Sequence, residues 1–128
     1  MWEKFVGYTG GAAVSTLIRL PPDRVWACAE SRELTRLAME EAAAVGRAAG
    51  VPLPADTVAR LGALYARMTP GTYPSLYYDL MAGKRLELES LNGTIVRLGR
   101  ELGVPTPIQF TIYAALKPYA DVERRPVA

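Results

Sequence analysis

Histidine is absent from this chain and cysteine occurs once. Without imidazoles, Ser-His-Asp and Cys-His catalysis are closed, and the usual zinc sites lack their ligands. A single cysteine excludes an internal disulfide, which fits a reducing compartment. Cys28 lies between Ala27 and Ala29 with no base to activate it, so a buried, inert thiol is expected. Basic clusters are also missing. The net charge is +2, and nothing gives it a direction, so no nucleic-acid partner is expected. Arg124 and Arg125 stand beside Asp121 and Glu123 and read as a solvated tail. No apolar run is long enough to span a bilayer. "FVGYTGGAAVSTLI" resembles a weak leader core, and Ala27-Cys28-Ala29 a cleavage triplet. "RLPPDR" separates the two, however, and Glu3 cancels Lys4. These features predict a soluble, cytoplasmic protein with no membrane partner and no metal.

What is present is helical periodicity. Half of the 128 residues are apolar, enough for the core of one domain. The first helix is expected over residues 2–18, stopping before Pro21-Pro22. Asp23 is a candidate cap for a short turn through Cys28, and Ser31 for the helix after it. That helix runs to Gly50. Pro54 and Asp56 open the next, with Val58, Leu61, Leu64, Tyr65 and Met68 as its apolar stripe. "TPGTYP" breaks the pattern, and "SLYYDLMAG" forms a short helix ending at Gly83. Leu88, Leu91, Ile95, Leu98 and Leu102 then recur at helical spacing and override the hairpin signal of Asn92-Gly93. Thr106, Pro107 and Gln109 have the form of a capping box opening the last helix, which Pro118 ends. There is no βαβ alternation and no Gly-rich loop after a strand. Gly7, Gly11 and Ser15 recur every four residues and point to close helix packing rather than a phosphate cradle. The pattern predicts an all-α bundle of six to seven helices.

Three stretches go further: "WEKF", "AMEEAAAVGRAAGVPLP" and "PSLYYDLMAGKRLELESLNGTIVRLGRELGVPTP". Together they resemble the C-terminal helical domain of the ketopantoate reductase family, the NADPH-dependent 2-dehydropantoate 2-reductases. That domain has a fold like the C-terminal domain of 6-phosphogluconate dehydrogenase. The resemblance implies a substrate-binding and dimerisation domain over residues 1–118 and a tail over 119–128. The family's N-terminal Rossmann domain, which binds NADPH, has no counterpart here. NADPH is therefore expected only together with such a domain, supplied separately, and the chain alone is expected to be inactive.

The resemblance also assigns residues. The family's catalytic lysine aligns with Lys4, which would protonate the carbonyl oxygen of the substrate. Its active-site glutamate aligns with Glu87, and its substrate-contacting serine with Ser75. On residue type alone, Lys4 would be a snorkelling helix-start lysine, Ser75 an N-cap and Glu87 a first-turn acid. Asp79 and Asn92 also match and are expected to be structural. Many members carry asparagines four and eight residues after the lysine, where this chain has Tyr8 and Ala12. Losing two amides from the substrate site implies a different 2-oxo acid or ketone, larger or more apolar. The partner implied is a second copy of the chain. An alternative is a stand-alone, non-catalytic dimerisation module, with "FVGYTGGAAV" as part of an exposed apolar face. A third reading, an unrelated bundle, would use Tyr73, Tyr77 and Tyr78 to line a pocket.

Overall fold

A computed structural model describes residues 1–120 and contains seven helices and no strand among them. Helix α1 is one continuous rod over residues 2–18, made of Trp2–Gly7, a π-helical turn over Tyr8–Ala12, and Ala13–Ile18. The others are α2 (Pro22–Ala27), α3 (Ala29–Ala48), α4 (Thr57–Ala66), α5 (Ser75–Met81), α6 (Asn92–Leu102) and α7 (Pro107–Leu116). The all-α architecture matches the expectation from periodicity. Expected Arg124 and Arg125, and most of the expected tail, lie outside the described residues.

Helix α3 is the hub and packs against α1, α2, α4, α6 and α7. Its inward face is built from small residues and one methionine: Ala38, Met39, Ala42, Ala43 and Val45 are all fully buried. Short side chains let neighbouring helices approach closely, and the methionine fills the irregular gap they leave. Two apolar clusters result. One joins Ala13, Val14, Leu76, Leu80, Leu88, Ile112 and Leu116. The other joins Val6, Met39, Val45, Val58 and Ile95. Packing continues past Pro118, because Ala120 is buried and its carbonyl accepts the Leu86 N–H. The stretch from Phe5 to Val14 lies mainly inside the domain, with Val6 and Thr9–Val14 buried, so it is not an exposed apolar face.

Several helix boundaries differ from the sequence expectation, each for a local reason. Cys28, not Ser31, occupies the N-cap of α3, and the Ser31 hydroxyl donates back to the Val25 carbonyl at 2.5 Å. Asp23 does not cap α2; it accepts the Gly71 N–H at 2.9 Å and tethers the loop before α5. Cys28 is exposed rather than buried. Its flanking alanines said nothing about burial, because they sit on the exposed corner between α2 and α3. The thiol is held below its usual range chiefly by the backbone N–H of Ser31 at the start of α3. Leu64 and Leu102 are exposed, so the stripes of α4 and α6 are narrower than their leucine spacing suggests. Helix α6 starts at Asn92, which leaves Leu88 buried in the preceding link and Glu87 outside the first turn.

The largest departure concerns α7. Thr106 makes no side-chain cap, and Gln109 does not reach back to complete a capping box. The cap comes from α3 instead. The Glu41 carboxylate accepts the N–H of Ile108 at 3.0 Å and of Gln109 at 2.8 Å. A carboxylate at a helix N-terminus satisfies orphan donors and complements the helix dipole. This frees the Gln109 side chain, which is fully buried. Its amide donates to the carbonyls of Ala38 at 2.9 Å and Thr9 at 3.4 Å. Asn92, also fully buried, donates to the Thr9 carbonyl at 2.9 Å and to Gln109 Oε1 at 2.7 Å.

If Glu41 caps α7, Glu41→Ala should cost about 1–3 kcal/mol, the range for a charge-assisted cap. Thr106→Ala should cost about 0.5 kcal/mol or less, as an uncapped surface position does. Urea midpoints at constant m-value read both. The reverse ranking would contradict the assignment.

Candidate functional site

One cavity of about 300 Å³ lies between α1, α4 and the start of α5. Helix α1 contributes Lys4, Gly7, Tyr8 and Ala12, and the first residue of α5 contributes Ser75. Helix α4 and the loop after it supply Leu61, Tyr65, Met68, Tyr73 and Pro74. Four of the residues singled out in the sequence, Lys4, Tyr8, Ala12 and Ser75, therefore line the same space. Glu87 is not among the lining residues. It is exposed in the link before α6, where its backbone carbonyl accepts the Ser90 hydroxyl at 3.3 Å.

The alignment of Lys4, Tyr8 and Ala12 has a backbone cause. An α-helix advances about 100° per residue, so each step of four overshoots a turn by about 40°. Over eight residues the two ends of such a series drift apart. In the π-turn the bonds run from residue i to i+5, as when the Ala13 N–H donates to the Tyr8 carbonyl. Each residue then turns through a smaller angle, which offsets the drift and keeps the three positions on one face. The turn is also held from outside. The Thr9 carbonyl within it receives both the Asn92 and the Gln109 amides.

The polar groups of the cavity are few. Tyr8 and Ser75 hydroxyls are hydrogen-bonded to each other at 3.0 Å, joining α1 to the head of α5. Ser75 thus does not act as the side-chain cap of α5; Pro74 precedes it at the N-cap. Tyr65 donates its hydroxyl to the Gly7 carbonyl at 2.7 Å. It fills the space beside Gly11, where an added Cβ would lie 1.7 Å from the phenol oxygen. At Gly10 an added Cβ would lie 2.3 Å from Met39 Cγ. Both glycines serve packing, at Gly11 as its spacing suggested, and offer no cradle for a phosphate. Tyr73 stacks on Tyr77 at 3.9 Å between centroids, with Tyr78 edge-on to both. Tyr65 stacks on Trp26 at 6.0 Å.

Sequence reasoning missed the far wall. Leu61, Tyr65 and Met68 read as an ordinary core stripe, and only the structure shows that they close a cavity. The one available signal was the "TPGTYP" break, which ends α4 early and exposes its last turn.

Burial pushes the Tyr65 phenol up from its ordinary 10.0 to about 12. In the unfolded chain the proton leaves first, near pH 10. The stability linked to Tyr65 is therefore complete below that pH and is lost as pH rises toward 12. Unfolding free energies measured from pH 9 to 12 should fall more steeply for the wild-type chain than for Tyr65→Phe. Parallel curves would show that this phenol is not protected.

The family description "Ketopantoate reductase PanE/ApbA C terminal" matches residues 1–120. Among curated proteins, a 2-dehydropantoate 2-reductase of Caulobacter vibrioides is 35% identical over 115 residues, covering 90% of this chain and 39% of the relative. Among solved structures, a PanE/ApbA family ketopantoate reductase from Ralstonia eutropha is 36% identical with a TM-score of 0.84. The match covers 93% of this chain and 40% of that one. A dimeric ketopantoate reductase from Staphylococcus aureus superposes with a TM-score of 0.89 at 28% identity, over 96% of this chain and 43% of that one. The chain spans about two-fifths of the length of these relatives. It belongs to the ketopantoate reductase family, as its C-terminal helical domain.

Proposed function

We propose that this domain is the substrate-binding half of an NADPH-dependent reductase acting on a ketopantoate-like 2-oxo acid. The observation that carries the reading is the convergence of Lys4, Tyr8, Ala12 and Ser75 on one cavity. In such an enzyme NADPH supplies the hydride, from a nucleotide-binding domain. Gly10 and Gly11 are packed against Met39 and Tyr65 and form no cradle for its phosphates.

What this chain contributes is a proton and an orientation. Reducing a ketone builds negative charge on its oxygen. The Lys4 ammonium, at the cavity wall, stabilises that charge and gives its proton to the oxygen, yielding a 2-hydroxy acid. The Tyr8–Ser75 hydroxyl pair holds the substrate's acidic end, and Ala12 leaves room beside it. Glu87 is assigned an accessory role at the edge of the completed cleft, since it lies outside the cavity itself. We further assign a second copy of the chain as its partner, and the cytoplasm as its compartment. The dimeric relative from Staphylococcus aureus supports the partner. The alternative, a non-catalytic dimerisation module, has Leu64, 55% exposed, in its favour. It leaves the convergence of Lys4, Tyr8 and Ser75 without a purpose.

The test is reconstitution. The chain alone should not oxidise NADPH in the presence of 2-oxo acids. Mixed with a nucleotide-binding domain from a family member, it should do so, and Lys4→Ala should lower that rate by about 10²-fold or more. Turnover by the chain alone, or an undiminished rate with Lys4→Ala, would overturn the proposal.

A further inference from the structure

A lysine that gives a proton to a carbonyl oxygen must be held within hydrogen-bond reach of it. Lys4 stands in the first turn of α1, where Met1 at the N-cap makes no side-chain hydrogen bond. Helix ends fray, because their first N–H groups lack intrahelical partners. Two neighbours pin this turn. The Trp2 ring lies against Gly46 of α3, where an added Cβ would come within 2.9 Å of it. Glu3 reaches α4, where Arg60 Nη1 donates to its Oε1 at 2.5 Å. Arg60 Nε also lies 3.2 Å from the carboxylate of Asp56, at the N-cap of α4. The guanidinium is thus fixed on its own helix, and its planar fork sets the direction in which it meets Glu3. Further along α1, Gly7 lies against Leu61, and Gly7 and Gly11 against Tyr65. The ion pair is the outermost rung of this series. Its two residues directly precede Lys4 and Leu61, which both line the cavity.

We propose that the Glu3–Arg60 ion pair is a clamp that positions Lys4 for proton transfer, which makes Glu3 and Arg60 positioning residues. This rests on the reading of Lys4 as the proton donor and adds what holds it in place. Both partners are partly exposed, so the pair contributes little to global stability. Its consequence is local, because the turn it pins is the one that carries the ammonium. The Tyr65 hydroxyl holds α1 at Gly7, three residues further on. A displacement of about 1 Å at a reacting group can cost about 10²-fold in rate.

The experiment is a double-mutant cycle of Glu3→Gln, Arg60→Gln and both, in the full chain mixed with a family member's nucleotide-binding domain. Each single variant should lower kcat about tenfold while KM stays within about twofold, as when a contact made only in the transition state is lost. The double variant should be no worse than either single one, because all three remove the same contact. A pair acting through its charges alone would instead move the two single variants in opposite directions. Arg36→Gln, which breaks the partly exposed Glu33–Arg36 pair within α3, should leave kcat unchanged. In the full chain alone, the backbone order parameter of Lys4 should be about 0.85 in the wild type and fall below about 0.6 in either single variant. Urea midpoints should not move. Unchanged kcat, additive or opposite effects, or an order parameter that does not respond would each overturn the clamp. If the wild-type mixture does not turn over, the reductase reading fails instead, and the order parameters alone decide the clamp.

Discussion

Two buried amides hold this domain in register. Asn92 and Gln109 sit on different helices, are fully buried, and meet at 2.7 Å. Between them they bond the Thr9 carbonyl of α1 and the Ala38 carbonyl of α3. A buried polar group without a partner costs free energy, so such a network tolerates only the arrangement in which its members meet. Only Asn92 Oδ1 lacks a partner among the buried side chains described. Hydrophobic contacts could be satisfied by small slides of one helix over another. The amides remove that freedom, and so they specify which turn of α1 faces α6 and α7.

The site inherits this constraint. The carbonyl that the amides grip belongs to the π-turn, and the π-turn brings Lys4, Tyr8 and Ala12 onto one face. Tyr65 secures the same segment from the other side, with its hydroxyl on the Gly7 carbonyl and its ring against Gly11. Helix α1 is thus clamped on two sides at its irregular turn, which fixes the cavity floor. The wall comes from α4 and the loop after it, where Asp23 tethers Gly71. The geometry follows from the packing of four helices and does not require a loop to move.

The helices themselves were legible because their periodicity is strong, and the left-handed Gly103, at a φ of 74°, ends α6 just after its last leucine. Ends that depend on distant partners were not legible. Thr106 and Gln109 have the spacing of a capping box, yet Glu41, more than sixty residues away in sequence, supplies the cap. The π-turn left no local signal, because the bonds that hold it come from Asn92 and Gln109. Cys28 was misjudged because small apolar neighbours favour burial on average, whereas here Ala27, Cys28 and Ala29 all lie on the exposed corner between α2 and α3. At the site, Lys4, Ser75, Tyr8 and Ala12 were found through family resemblance. Residue type alone made Lys4 a surface lysine and Ser75 a cap, and gave Tyr8 and Ala12 no role. Leu61, Tyr65 and Met68 were invisible as site residues, since a helix stripe facing a cavity has the same spacing as one facing a core.

The Asn92–Gln109 pair sets the π-turn and, through it, the cavity. The most direct measurement is the proximity of the Tyr8 ring to the Ser75 side chain, read as a nuclear Overhauser contact in the wild-type chain and in Asn92→Leu. The contact should be strong in the wild type and lost or greatly weakened in the variant, while its helical circular dichroism is kept. An unchanged contact in a folded Asn92→Leu chain would contradict the account.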